Sequence, residues 1–105
     1  MRTLVADAEA ASADGRQEVA GDALERALRL APDHPVLWQN LAVVRYRQDR
    51  CEEAIDLARR SSDHTGDRRL RAQNWRLIAT CREILGDAEG AAEAAARAAE
   101  LEGER

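Results

Sequence analysis

The chain has 105 residues and a formal net charge of −4, from 16 basic and 20 acidic residues. All 16 basic residues are arginine, alanine supplies 22 positions, and the aromatics are Trp38, Tyr46 and Trp75. This composition suits close-packed helices better than strands, which favour β-branched and aromatic residues. The acidic balance argues against a nucleic-acid footprint, and no run reaches the ~18 to 20 apolar residues that span a bilayer. The length is that of one domain, read here as residues 1–105.

In chain order, the spacing of apolar residues predicts helices over 3–13, 17–30, 35–48, 51–62, 70–85 and 88–102, with no strand. Leu24, Ala27 and Leu28 mark one buried face; Leu37, Leu41 and Val44 mark another. Gly15 and Gly86 follow helical runs and are expected to take the left-handed cap conformation. Pro35 fits a first helical turn, where its missing N–H costs nothing. Ser61–Asp67 reads as the one long loop, from its turn-forming composition. The arginines at 68, 69 and 71 then start a helix with positive charge, against the helix dipole. The N-terminal segment shows no basic region, apolar run and cleavage site, so no targeting signal is expected within the chain.

Three segments repeat. Gly15-Arg16-Gln17-Glu18-Val19-Ala20, Asp49 to Ile55 and Gly86 to Ala91 align, placing a small residue at Ala20, Ala54 and Ala91, spaced by 34 and 37 residues. Trp38-Gln39-Asn40-Leu41-Ala42 likewise matches Trp75-Arg76-Leu77-Ile78-Ala79, 37 residues on. Such a period, with Trp38, Leu41, Ala42, Ala54 and Ala58 in the middle repeat, Tyr46 one place beyond the usual aromatic position and Pro32 closing the first repeat, resembles the tetratricopeptide-repeat (TPR) family. In the first repeat Asp7 takes a position where leucine is usual, while Ala8 and Ala11 keep the small positions. The resemblance implies an all-α fold of three TPR-like helix-turn-helix repeats (about 1–34, 35–68 and 69–105) stacked in a short right-handed superhelix. Ala42, Ala54, Ala79 and Ala91 would then let helices approach closely.

No catalytic chemistry is expected. Ser61, Ser62, Asp63 and His64 are neighbours in one segment, which cannot give the geometry of a nucleophile, base and orienting group. No glycine-rich phosphate loop is present, and neither a metal nor a cofactor is expected. Trp38 and Trp75 read as packing residues.

Repeat arrays bind partners on the concave surface lined by the first helix of each repeat. The TPR resemblance places Gln39, Asn40, Val43, Tyr46 and Arg47 there from the second repeat, and Gln73, Arg76 and Thr80 from the third. Amides, a tyrosine and arginines beside small apolar patches suit an extended segment of a protein partner. A clamp for carboxylate tails is not expected, because the first repeat lacks the required basic and asparagine residues. Between Arg45 and Arg82 ten arginines face six acids, net +4, against −8 for the rest, an asymmetry that would steer an oppositely charged partner. The alanine-rich last helix exposes a shallow apolar face, which implies weak self-association or continuation in a longer chain.

A narrower resemblance is to small TPR lipoproteins of the bacterial envelope that activate a class A penicillin-binding protein. It rests on Pro32, Trp38, Leu41 and Ala42, on Ala58-Arg59-Arg60-Ser61, on the Gly66-Asp67 turn and on Asn74 to Ala79. It implies the soluble part of a periplasmic protein tethered to the outer membrane, separate from its signal peptide, lipidated cysteine and linker. The other reading is a cytoplasmic TPR adaptor or a piece of a longer scaffold. In either case Cys51 and Cys81 fall on neighbouring antiparallel helices, where they either bridge or pack as two buried thiols.

Overall fold

The run Pro35-Val36-Leu37-Trp38 opens a helix because proline pre-sets the first-turn φ, and the same logic of caps and small residues builds the rest of the chain. The computed structural model describes residues 3–103, and it is all-α, with the helix pairs of a TPR-like stack. Five helices follow in order: α1 (Thr3–Leu30), α2 (Pro35–Arg47), α3 (Cys51–Asp63), α4 (Arg68–Ile84) and α5 (Ala88–Gly103). Each packs on the next, and α2 also touches α4. No strand occurs among the described residues, and no described helix is long and apolar enough to cross a membrane.

Four of the six expected helices appear as separate elements with close to the expected ends. The first two are one: α1 is continuous for 28 residues. Gly15 does not take a positive φ there. Glycine permits a left-handed turn without requiring one, and the surrounding alanines, glutamate and arginine all favour helix. Asp7, Ala8 and Ala11 lie outside the residues whose side chains are described. The segment Ser61–Asp67 is also shorter as a loop than expected, because α3 continues to Asp63 with Ser61 and Ser62 buried.

The turns from α2 to α3 and from α4 to α5 are built alike. Asp49 (φ 61°) and Gly86 (φ 84°) occupy the left-handed region at equivalent repeat positions. In each turn the following amide reaches back to an arginine carbonyl: Arg50 N to Arg45 O at 2.9 Å, and Asp87 N to Arg82 O at 2.8 Å. This is the closing bond of a left-handed helix cap. The cationic start of α4 is offset locally. Asp67 Oδ1 accepts from the amides of Arg69 at 2.9 Å and Leu70 at 3.3 Å, placing a carboxylate at the positive end of the dipole. Asp87 serves α5 in the same way, accepting from Gly90 N at 2.9 Å; a Cβ at position 90 would collide with that carboxylate.

The core is made of small side chains. Ala42, Ala54, Ala58, Ala94 and Ala98 are completely buried, with Ile78 the largest fully enclosed residue. Ala91 is buried as expected, whereas Ala79 and Ala20 are half-buried. Leu28 carries the burial at the end of α1, and Leu30 is exposed.

Since Ala54 has no room to grow, Ala54→Leu is expected to destabilise the fold by ~1–3 kcal/mol, read as a lowered midpoint in urea denaturation with α-helical circular dichroism retained below it.

Candidate protein-interaction surface

Helical periodicity puts residues three, four and seven apart on one side of a helix. On α2 this aligns Val36, Asn40, Val43 and Arg47; on α4 it aligns Gln73, Arg76 and Thr80. The two helices are joined directly, Gln39 Nε2 donating to Gln73 Oε1 at 3.0 Å. Two of the eight residues singled out from the sequence are thus in contact across the repeat boundary.

The other six differ in their surroundings. Asn40 and Arg47 are exposed and Val43 is half-buried. Tyr46 is half-buried and packs against the cluster of Cys51, Ala54 and Cys81, so its ring is partly structural. Arg76 pairs with Glu102 of α5, a half-exposed ion pair. Thr80 donates its hydroxyl to the Arg76 carbonyl at 3.1 Å, a bond within its own helix. Arg76 and Thr80 also line an open depression of about 380 Å³ whose floor is Ala91, Ala92 and Ala95 of α5. They therefore stand at the α5 edge of this face, and Gln73, which also lines a depression with Leu101 and Glu102 of α5, joins the face to α2. Because α1 is unbroken, α2 and α4 form this surface without an antiparallel helix pair in the first repeat.

Behind the surface lie two polar assemblies that repeat spacing does not reveal. Arg45 is buried at 8% exposure, yet its guanidinium hydrogen-bonds to Glu25 of α1 and to Gln48 at 2.8 Å, and forms an ion pair with Glu53 of α3 at 3.4 Å. One cation thereby ties three helices. Gly21 makes room for it: a Cβ at that position would lie 2.7 Å from Arg45 Nη1. The second assembly centres on buried Asn74, whose amide donates to Ser61 Oγ at 2.9 Å and Ser62 Oγ at 3.1 Å. Ser61 in turn donates to the Pro35 carbonyl at 2.8 Å, which fixes the start of α2. Buried polar groups need such partners, and the last turn of α3 brings both serine hydroxyls within reach of Asn74. The pair Ser61-Ser62 followed by Asn74 on the next helix was the available sequence signal.

Both tryptophans are half-buried, and Trp75 packs one side against the core cluster. Trp38 Nε1 donates to the Pro32 carbonyl at 2.7 Å; its ring stacks on His64, with Arg60 5.2 Å from its centre. Trp75 carries Arg97 at 4.7 Å. Cys51 and Cys81 meet between α3 and α4 as free buried thiols. Burial, then the hydrogen bond and charge of Cys51, push the Cys81 thiol from its ordinary 9.0 up to about 12.

No protein-family model matches the chain, and no curated protein sequence does. Among solved structures, the chain is similar to the globular C-terminal domain of LpoP from P. aeruginosa. The two share 38% sequence identity over 90% of each chain, with a TM-score of 0.77.

Two measurements follow from the buried groups. Arg45→Met should lower stability by ~1–3 kcal/mol, the scale of hydrogen bonds to a charged group. Gly21→Ala should then cost less in that background than in the parent chain, giving a coupling of at least ~0.5 kcal/mol in a double-mutant cycle. Cys81 holds its proton more tightly folded than unfolded, so its contribution is complete below pH 9.0 and is lost as pH rises towards about 12. The melting temperature of the parent chain should therefore fall more steeply over that interval than that of Cys81→Ala.

Proposed function

The chain belongs to the family of the globular C-terminal domain of LpoP, and on that premise we propose that it is a non-enzymatic protein-interaction module of the bacterial envelope. Its partner in this reading is a class A penicillin-binding protein, which it activates for peptidoglycan synthesis. The observation that carries the reading is the 38% identity extending over 90% of both chains, which spans all the helices that build the surface rather than one motif. The resemblance of its residues to envelope lipoproteins that activate such a synthase points the same way. The protein works in the periplasm, tethered to the outer membrane by a lipidated segment preceding this domain.

The binding surface in this proposal is the joined face of α2 and α4, with Asn40, Val43 and Arg47 along one row and Gln73, Arg76 and Thr80 along the other. Gln39 and Gln73 hold the two rows in register through their mutual bond, so a partner segment would meet a preorganised surface and lose less conformational freedom on binding. Asn40 and Arg47 present unburied donors to the partner backbone, and Val43 with the edge of Tyr46 offers apolar area. Activation then arises by differential binding: a surface that fits the active conformation of the synthase better than its resting one shifts the population towards the active form.

The test is the rate of glycan-strand polymerisation by the organism's own class A penicillin-binding protein, with and without this domain. Stimulation is expected. Tyr46→Ala and Arg76→Glu should each weaken binding by ~1 kcal/mol or more with unchanged helicity. No stimulation by the parent domain, or parental affinity in both variants, overturns the assignment.

A further inference from the structure

On the flank of α4 opposite Gln73, α3 and α5 do not meet, and a groove of about 450 Å³ opens between them with Trp75 in its wall. Arginines from all three helices line it: Arg59 from α3, Arg71 and Arg82 from α4, and Arg97 from α5. Among the described residues, Asp63 and Glu93 are the only acids in the lining, an excess of two positive charges in a chain of net charge −4. Neither acid forms an ion pair within 4 Å with these arginines among the described residues.

The guanidiniums are held in place by other means. Arg97 lies over the Trp75 ring at 4.7 Å, and Arg82 donates to the Gly90 carbonyl at 3.1 Å. The Nε–H of Arg71 is shut off from water with no acceptor. A cation that has lost part of its hydration gains more from an arriving anion than a fully solvated one does. Arg71 and Arg82 are eleven residues apart on one helix, a separation of ~16 Å along the axis. Charges spread over that length do not converge on one small anion. They match an extended chain of about five residues, with acidic side chains at the guanidiniums and an apolar side chain against Trp75.

We propose that this arginine- and tryptophan-lined groove between α3 and α5 is a second binding site, which takes an acidic, extended segment of a protein partner. It lies on the other side of α4 from the surface assigned above, so a partner can engage both at once, and linked binding raises the overall affinity.

The probe is a fluorescein-labelled hexapeptide alternating glutamate and leucine, titrated with the intact chain in fluorescence polarisation. Saturable binding is expected, weakened by at least ~10-fold in an Arg71→Gln, Arg97→Gln double variant and reduced by added salt. In a Trp38→Phe variant, Trp75 is the single tryptophan, and its emission should change on binding of the unlabelled peptide. Arg59→Gln alters an exposed residue and keeps the test decisive if the double variant does not fold; it should weaken binding by ~3-fold or more. Tyr46→Ala and Arg76→Glu should leave peptide affinity unchanged, which separates this site from the α2–α4 surface and lets either fail alone. The proposal is overturned by equal binding of a lysine–leucine peptide, or by parental affinity in the arginine variants. Displacement of the peptide by equimolar pyrophosphate would assign the groove to a small anion instead. Tighter binding to phosphatidylglycerol vesicles than to the peptide would assign it to a lipid surface.

Discussion

Close approach of helices through alanine is the constraint on which the rest of the molecule rests. Ala42 and Ala58 meet across α2 and α3 in one cluster with Ile78 and Ala94, which continues the contact through α4 to α5. With almost no aromatic bulk available, burial has to come from backbones lying near one another. Each alanine contributes little area, but it brings the larger neighbours Ile55, Leu57, Trp75 and Leu77 into the same packed volume. Lateral spacing between α2 and α4 is set by this packing, and the Gln39–Gln73 bond needs that spacing to form.

Such a core has limited specificity, since alanine faces can slide along one another. Polar anchors fix the register. Arg45 joins α1, α2 and α3 from a buried position, and Asn74 with Ser61 joins α4 and α3 to the first residue of α2. Each anchor involves a group whose burial without partners would be unfavourable, so slippage of one helix past its neighbour would strand it. Stacking and anchoring therefore have different agents: small apolar residues bring the helices together, and a few hydrogen-bonded side chains decide where they stop.

The two flanks of α4 differ for the same reason. Towards α2 the helices are close enough for side-chain amides to touch. On the other flank α3 and α5 are separated, and the open groove between them is lined by long arginines around Trp75. Consecutive helices of the second and third repeats thereby present chemically distinct faces, one of amides, an arginine pair and small apolar patches, the other cationic around Trp75.

Repeat spacing and composition determined the helical class, the ends of α2 to α5 and the burial of Ala42, Ala54 and Ala91, because these depend on local patterns of 3.6-residue periodicity, caps and small residues. The adjacency of Cys51 and Cys81 was also legible, since antiparallel alternation places the start of α3 beside the end of α4. The sequence could not decide between a turn and a continuous helix at Gly15, where glycine permits both. Nor could it reveal the buried roles of Arg45, Asn74, Ser61 and Ser62. A polar residue reads as exposed until its partners are known, and Glu25, Glu53 and Pro35 come from other helices. The arginine groove was visible only as a regional charge excess, because Arg59, Arg82 and Arg97 acquire a common site through the packing of three helices around Trp75.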